Sequence, residues 1–433
     1  MKNTSKVYAV AALAGGSILA ASPSARAANP ACNSYAHPVY LAGSTAAPPM
    51  LAEIAVSLGT SVSIIYTSVG SCVGLNDVLT ATAEPAAAVY MDPTNATNQI
   101  ACDPTNGGTS TGNNIDVGIS DVYPSTCTAY SNIPTLTATQ KDFPGPVQAM
   151  VMAVQKTSTE SSISAEAAYV VFGWAGQTNT VAPWTDPAQM FIRKPTSGTE
   201  SMIAWAIGLP PTKWLAQSPF DAGAAQHESG NPQVVTALQG AASANAAIGI
   251  LSTEYLDLNR ATLKALAFQA MDPHTGGDQD CGYLPDSSST AFDKLNVRQG
   301  RYAIFGPVHF VANVDGSGNP IPNANNTGSV AADIAAVVNY VNAKNLSTAQ
   351  QQTLIQAAQK AYTVPQCAME VTTDSEIGAL ASYQPTGACG CYYESLAQGG
   401  TTTSSYCRTC AADGDCADAG VYTHCNFGYC EAQ

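Results

Sequence analysis

The chain is poor in charge: Asp, Glu, Lys and Arg make up 11% of its 433 residues, and only 16 of these are Lys or Arg. So few and so scattered a set of cations forms no basic run that could track a phosphodiester backbone, which excludes nucleic acid as a partner. Histidine is scarcer still. His37, His227, His274, His309 and His424 stand in no H-x-H or H-E-x-x-H spacing, so no metal site and no cofactor is expected from them. Beyond residue 27 no stretch reaches the roughly 20 uninterrupted apolar residues of a membrane-spanning helix.

What is there begins with an address. Residues 1–27 carry Lys2 and Lys6, an apolar stretch from Val7 to Ala21, and Ala25-Arg26-Ala27 as a small-x-small cleavage site, the pattern of a signal peptide. Ala28 follows the site where a lipid-anchored protein would have cysteine, so a free periplasmic or secreted protein is expected. Loss of three positive charges, Lys2, Lys6 and Arg26, takes the formal charge from −15 to −18. All 13 cysteines lie beyond this segment. In an oxidising compartment they should pair, with one left over or joined to another chain.

About 400 remaining residues are too many for one core, which predicts two lobes and an appendage. From Pro38 to Gly145 the pattern is β-α-β-α-β: Val39–Ala42, a helix over Pro49–Leu58, Val62–Thr67, a helix over Gly74–Thr82, and Ile115–Ile119. The Asn-, Thr-, Pro- and Gly-rich tract 84–114 reads as a surface insertion, stapled by Cys72, Cys102 or Cys127. Val147–Val154 opens a second lobe, with a Ser164-capped helix to Trp174, a strand Met190–Arg193, helices Gly198–Gly208 and Pro232–Gly240, and a strand Ala247–Leu251. A strand over Arg301–Val311 and helices Ser329–Ala343 and Thr348–Ala361 return the chain to the first lobe.

The resulting division is 28–145 for lobe 1, 146–300 for lobe 2, 301–387 for the return to lobe 1, and 388–433 for a cysteine-rich module. That module holds Cys389-x-Cys391 and Cys407-x2-Cys410-x5-Cys416-x8-Cys425-x4-Cys430, with few aliphatic residues for a core, so disulfides should hold it. Zinc on Cys407 and Cys410 with Cys425 or His424 matches no standard finger spacing.

Three segments share one design, in which an apolar run ends in a Gly/Ser/Thr turn and a helix opens directly behind it: Ala42-Gly43-Ser44-Thr45-Ala46, Ser68-Val69-Gly70-Ser71 and Arg193-Lys194-Pro195-Thr196-Ser197-Gly198-Thr199. Helix starts offer unpaired N–H groups and about half a positive charge, so three of them can surround one small oxyanion. Each hydroxyl could instead be no more than an N-cap. Gly108-Thr109-Ser110-Thr111-Gly112 matches G-x-S-x-G but lies in the polar tract, without the strand and helix that a nucleophile turn requires.

Taken together and in order, these segments resemble the type II periplasmic binding proteins, and among them the phosphate-binding component of the phosphate ABC transporter. Ala42 to Pro49 is similar to that family's A-G-A-T-F-P-A-P, Tyr66 to Ser71 to its Y-x-x-x-G-S, Asp116 to Asp121 to its D-F-G-A-S-D, Arg193 to Thr199 to its R-x-D-G-S-G-T, and Ala247 to Ile250 to its A-I-G-Y. The resemblance implies an α/β fold of two hinged lobes that hold inorganic phosphate between them and deliver it to an ABC permease or signal its presence. It implies hydroxyl donors at Thr45, Ser71, Ser197 and Thr199, backbone donors at Ala46, Ser71, Gly198 and Thr199, a guanidinium fork at Arg193 and an acceptor at Asp121.

Two positions depart from the pattern. Ala46 replaces the aromatic residue, and Pro195 replaces the acidic residue that steadies the arginine, a task left to Glu200 or a group from lobe 1. Other readings are a phosphate-ester hydrolase with Ser197 or Ser110 as nucleophile, and a surface interaction or adhesion protein whose cysteine-rich tail binds the partner.

Overall fold

Pro38–Gly43 is buried at all six positions, which only a strand covered on both faces achieves, and it pairs in parallel with strands on either side. The computed structural model describes residues 29–177, 179–214, 226–271, 279–326, 328–376, 378–400, 404–417, 420 and 422–432; the expected signal segment, His274 and the side chain of His227 lie outside them.

The first stretch runs β1 (Pro38–Gly43), α1 (Pro48–Leu58), β2 (Ser63–Ser68), α2 (Ser71–Thr80), β3 (Ala83–Glu84), β4 (Ala88–Met91), β5 (Gln99–Cys102), β6 (Asn113–Asn114), β7 (Val117–Ser120), α3 (Pro124–Ser131) and β8 (Gln140–Gln155). The second runs β9 (Ser162–Ser164), α4 (Ala165–Trp174), β10 (Met190–Arg193), α5 (Gly198–Ala206), β11 (Gln226–Glu228), α6 (Asn231–Gly240), β12 (Ile248–Ser252), α7 (Thr253–Leu258), β13 (Leu263–Ala265), β14 (Ala267–Gln269) and α8 (Leu295–Arg298). The last holds β15 (Phe305–Asn313), α9 (Ala331–Val341), α10 (Thr348–Lys360), β16 (Val371–Thr372), β17 (Ala381–Ser382), α11 (Gly390–Ala397), β18 (His424–Asn426) and β19 (Tyr429–Glu431).

The main sheet has the order β11-β10-β12-β8-β15-β7-β1-β2-β4-β5, with β13 also on β8. Lobe 1 is built on parallel β2, β1 and β7, and lobe 2 on parallel β11, β10 and β12. The 16-residue β8 joins them: Gln140–Ala149 pairs with β15, while Met150–Gln155 pairs with β12 and β13. A lobe boundary at 145/146 therefore falls inside one continuous strand.

Several details differ from the sequence reading. The tract 84–114 is more than a surface loop: its Ala88-Val89-Tyr90-Met91 forms β4 against β2, and β5 then extends the sheet. A disulfide ties its Cys102 to Cys32, while Cys72 joins Cys127, linking α2 to α3. The strand expected from Arg301 starts only at Phe305, because the amides of Arg301 and Tyr302 still donate to Asn296 O in the turn behind α8. Helix α2 starts at Ser71, three residues before the expected Gly74.

The cysteine-rich segment is joined to the body. Cys389 pairs with Cys367, ahead of the expected boundary, and Cys389 and Tyr393 are fully buried in the main core. Cys391–Cys407, Cys410–Cys425 and Cys416–Cys430 complete its bridges, and Cys281 is the exposed free cysteine. The sulfurs of Cys410, Cys416 and Cys430 lie within 4.8 Å of one another. As disulfide sulfurs they have no thiolate to offer a metal.

Candidate ligand-binding cleft

At the carboxyl end of the lobe 1 sheet, three loops are drawn together by backbone bonds. Ser44 N donates to Ile119 O at 2.9 Å, and the amides of Val69 and Gly70 both donate to Gly43 O, at 3.1 and 2.8 Å. Gly43 is obligatory here: its φ is 144°, and a Cβ would run into the carbonyl of Ile119. The convergence sets Ser44, Ser71 and Asp121 side by side.

Their side chains do not act as N-caps. Neither the turn before α2 nor Ser197 before α5 makes a side-chain capping bond. Ser71 Oγ instead accepts from Asp121 N at 3.2 Å, and the Asp121 carboxylate takes a 2.6 Å hydrogen bond at Oδ1 from Gln148 Nε2. Burial pushes the Asp121 carboxyl above the usual range, while the donors Ser44, Gln148 and Ser71 and the charge of Arg193 pull it back.

From lobe 2, β10 delivers Arg193 at its carboxyl end, only 2% exposed. Its Nε donates to Glu228 O and its Nη2 to Ser229 O, both at 3.1 Å, while its backbone N donates to Glu200 Oε2 at 3.1 Å. The side chain left without an acidic neighbour at Pro195 is thus oriented by two carbonyls of the chain before α6. Burial draws its pKa down to about 10, so it is cationic at neutral pH. Thr199 Oγ1 is buried and has no hydrogen-bond partner among the described residues.

The two sides meet. Cys72 N donates to Thr196 O at 3.4 Å, and Asn231 Nδ2 donates to Thr45 Oγ1 at 3.4 Å. A Cβ on Gly198 would collide with Ser71 Oγ and stand 2.7 Å from Asp121 Cβ, so glycine lets α5 approach the loops of lobe 1. The structure therefore brings Thr45, Ser71 and Asp121 to one wall and Arg193, Ser197, Gly198 and Thr199 to the other. Ala46 differs from its expected role, because its N–H donates to Ser44 Oγ at 2.9 Å.

Sequence reasoning missed Ser44, Gln148, Asn231 and Glu254. Gln148 had a signal, as the one polar residue in the apolar run Val147–Val154. Asn231 holds both lobes: its Oδ1 accepts from Ser252 N at 3.0 Å while its amide reaches Thr45. Glu254, two residues beyond β12, is a buried carboxyl whose pKa burial raises to about 8, helped by the nearby charges of Asp121 and Asp257.

Two lobes on parallel sheets, joined through long antiparallel strands, with polar loops converging at the carboxyl ends, define the fold of the type II periplasmic binding proteins. No family model and no curated protein matches the chain. Among solved structures, it is similar to a high-affinity periplasmic phosphate-binding protein, PfluDING, at 14% identity over 76% of this chain and 90% of that one, with a TM-score of 0.45. An ABC-type phosphate transport receptor from Vibrio cholerae overlaps at 13% identity, 76% and 99% coverage, and a TM-score of 0.42. A hydrogen-peroxide-bound OxyR mutant from Corynebacterium glutamicum overlaps too, at 10% identity, 77% and 70% coverage, and a TM-score of 0.35.

Proposed function

We propose that this protein is an exported, non-catalytic binding protein that captures inorganic phosphate between its lobes. The observation that carries this reading is the placement of a buried acid, Asp121, and a buried arginine, Arg193, within reach of each other's charge across one closed interface lined by Ser71, Gly198 and Thr199. Arginine presents planar donors that match two oxygens of a tetrahedral anion. An ionised carboxylate only accepts hydrogen bonds, so it suits an anion that still carries a proton. Hydrogen phosphate has one at neutral pH; sulfate has none.

Export agrees with the six disulfides and the leader-like start, and no helix among the described residues is long and apolar enough to cross a membrane. In this reading, capture by lobe closure is followed by delivery to an ABC permease or by signalling. Calorimetry on the full chain tests the reading: phosphate should bind with measurable heat and sulfate far more weakly. Absence of any phosphate binding would overturn it.

A further inference from the structure

Helix α3 opens three residues after Asp121, with Tyr123 as its N-cap, no acidic residue in its first turn and no capping side chain of its own. Its cap comes from 253 residues away. Tyr123 N donates to Glu376 Oε1 at 2.5 Å, the Thr126 hydroxyl donates to Glu376 Oε2, and Tyr123 OH donates to Thr373 O at 2.6 Å. A carboxylate at a helix N-terminus satisfies unpaired amides and complements the helix dipole. Thr373 and Glu376 lie in the connection between the paired strands β16 and β17, inside a loop that Cys367–Cys389 closes. The ring of His309, on β15, packs 4.4 Å from that of Tyr123.

We propose that Glu376 is a positioning residue for the cleft: by holding Tyr123 and Thr126 it holds the turn that aims Asp121, so the β16–β17 connection sets oxyanion affinity. The inference rests on the phosphate reading above. The segment Asp121-Val122-Tyr123 links the two bonds directly, since Asp121 N is held by Ser71 Oγ at one end and Tyr123 N by Glu376 at the other. Release of the Glu376 end leaves the carboxylate aimed by Ser44, Ser71 and Gln148 alone.

The test is calorimetry with inorganic phosphate and sulfate on full-length variants. Glu376→Ala should weaken phosphate binding about tenfold, the size of the lost hydrogen bond from Tyr123 N, whereas Glu376→Gln, which keeps an acceptor for Tyr123 N, should stay within about threefold of wild type. In an Asp121→Asn background the Glu376→Ala loss should vanish, because the effect runs through Asp121. A purely structural role would leave that loss in place, and so overturn the inference. Unchanged phosphate affinity in Glu376→Ala would also overturn it while leaving the phosphate reading intact; a wild-type protein that binds no phosphate overturns both. Should Glu376→Ala not fold, Thr126→Val carries the same comparison.

Discussion

Gln148 Nε2 donates to Asp121 Oδ1 at 2.6 Å, joining the strand that crosses between the lobes to the acid of the cleft. Gln148 stands on the part of β8 that pairs with β15, opposite Gly306. The relationship also limits what the acid can do, because Oδ1 is already engaged by Gln148 while Ser44 and Ser71 also bond the carboxylate.

Asp121→Asn should relax the rejection of sulfate. The amide can donate to an oxygen that carries no proton, and it removes a negative charge beside the anion. The ratio of phosphate to sulfate affinity should fall by about 100-fold or more, read by calorimetry at neutral pH.

Gly198→Ala should hinder closure. The added methyl would collide with Ser71 Oγ and Asp121 Cβ, and the atoms it meets belong to the site itself. Phosphate affinity should drop by at least about tenfold, and X-ray scattering should show a wider molecule in the presence of phosphate than wild type.

Glu254 makes stability depend on pH. Its carboxyl is raised from 4.5 to about 8 in the fold, so between those values the folded protein binds a proton that the unfolded chain has lost. Stability from this group is full below its unfolded value and is lost as pH rises through about 8. The melting temperature should fall between about pH 5 and about pH 9 by roughly the linkage this implies, and Glu254→Gln should flatten that fall. An equal fall in the variant would refute the assignment.

Lys294 is buried between two carboxylates, 2.5 Å from Asp257 and 2.9 Å from Asp286. Lys294→Met should destabilise the protein by about 3–5 kcal/mol in chemical denaturation, because it strands two buried acids with Arg260 as their remaining cation. Adding Asp257→Leu should recover part of the loss.

Local elements and the chemistry they could carry were legible in the order of the residues. Apolar runs such as Val39–Ala42 and Met190–Arg193 specify buried strands, and Gly43, Gly70 and Gly198 mark turns where backbone must come close. The grouping of Ser, Thr, Arg and Asp at those turns could be read because short-range spacing alone decides it. The partners these groups meet emerged only once the chain was folded. Gln148 on Asp121, the carbonyls of Glu228 and Ser229 on Arg193, and Glu376 on Tyr123 all join residues separated by 27 to 253 positions. Contacts of that kind depend on how β8 crosses between the sheets and where the Cys367–Cys389 loop folds back, and no local pattern encodes the distance between two points of a folded chain.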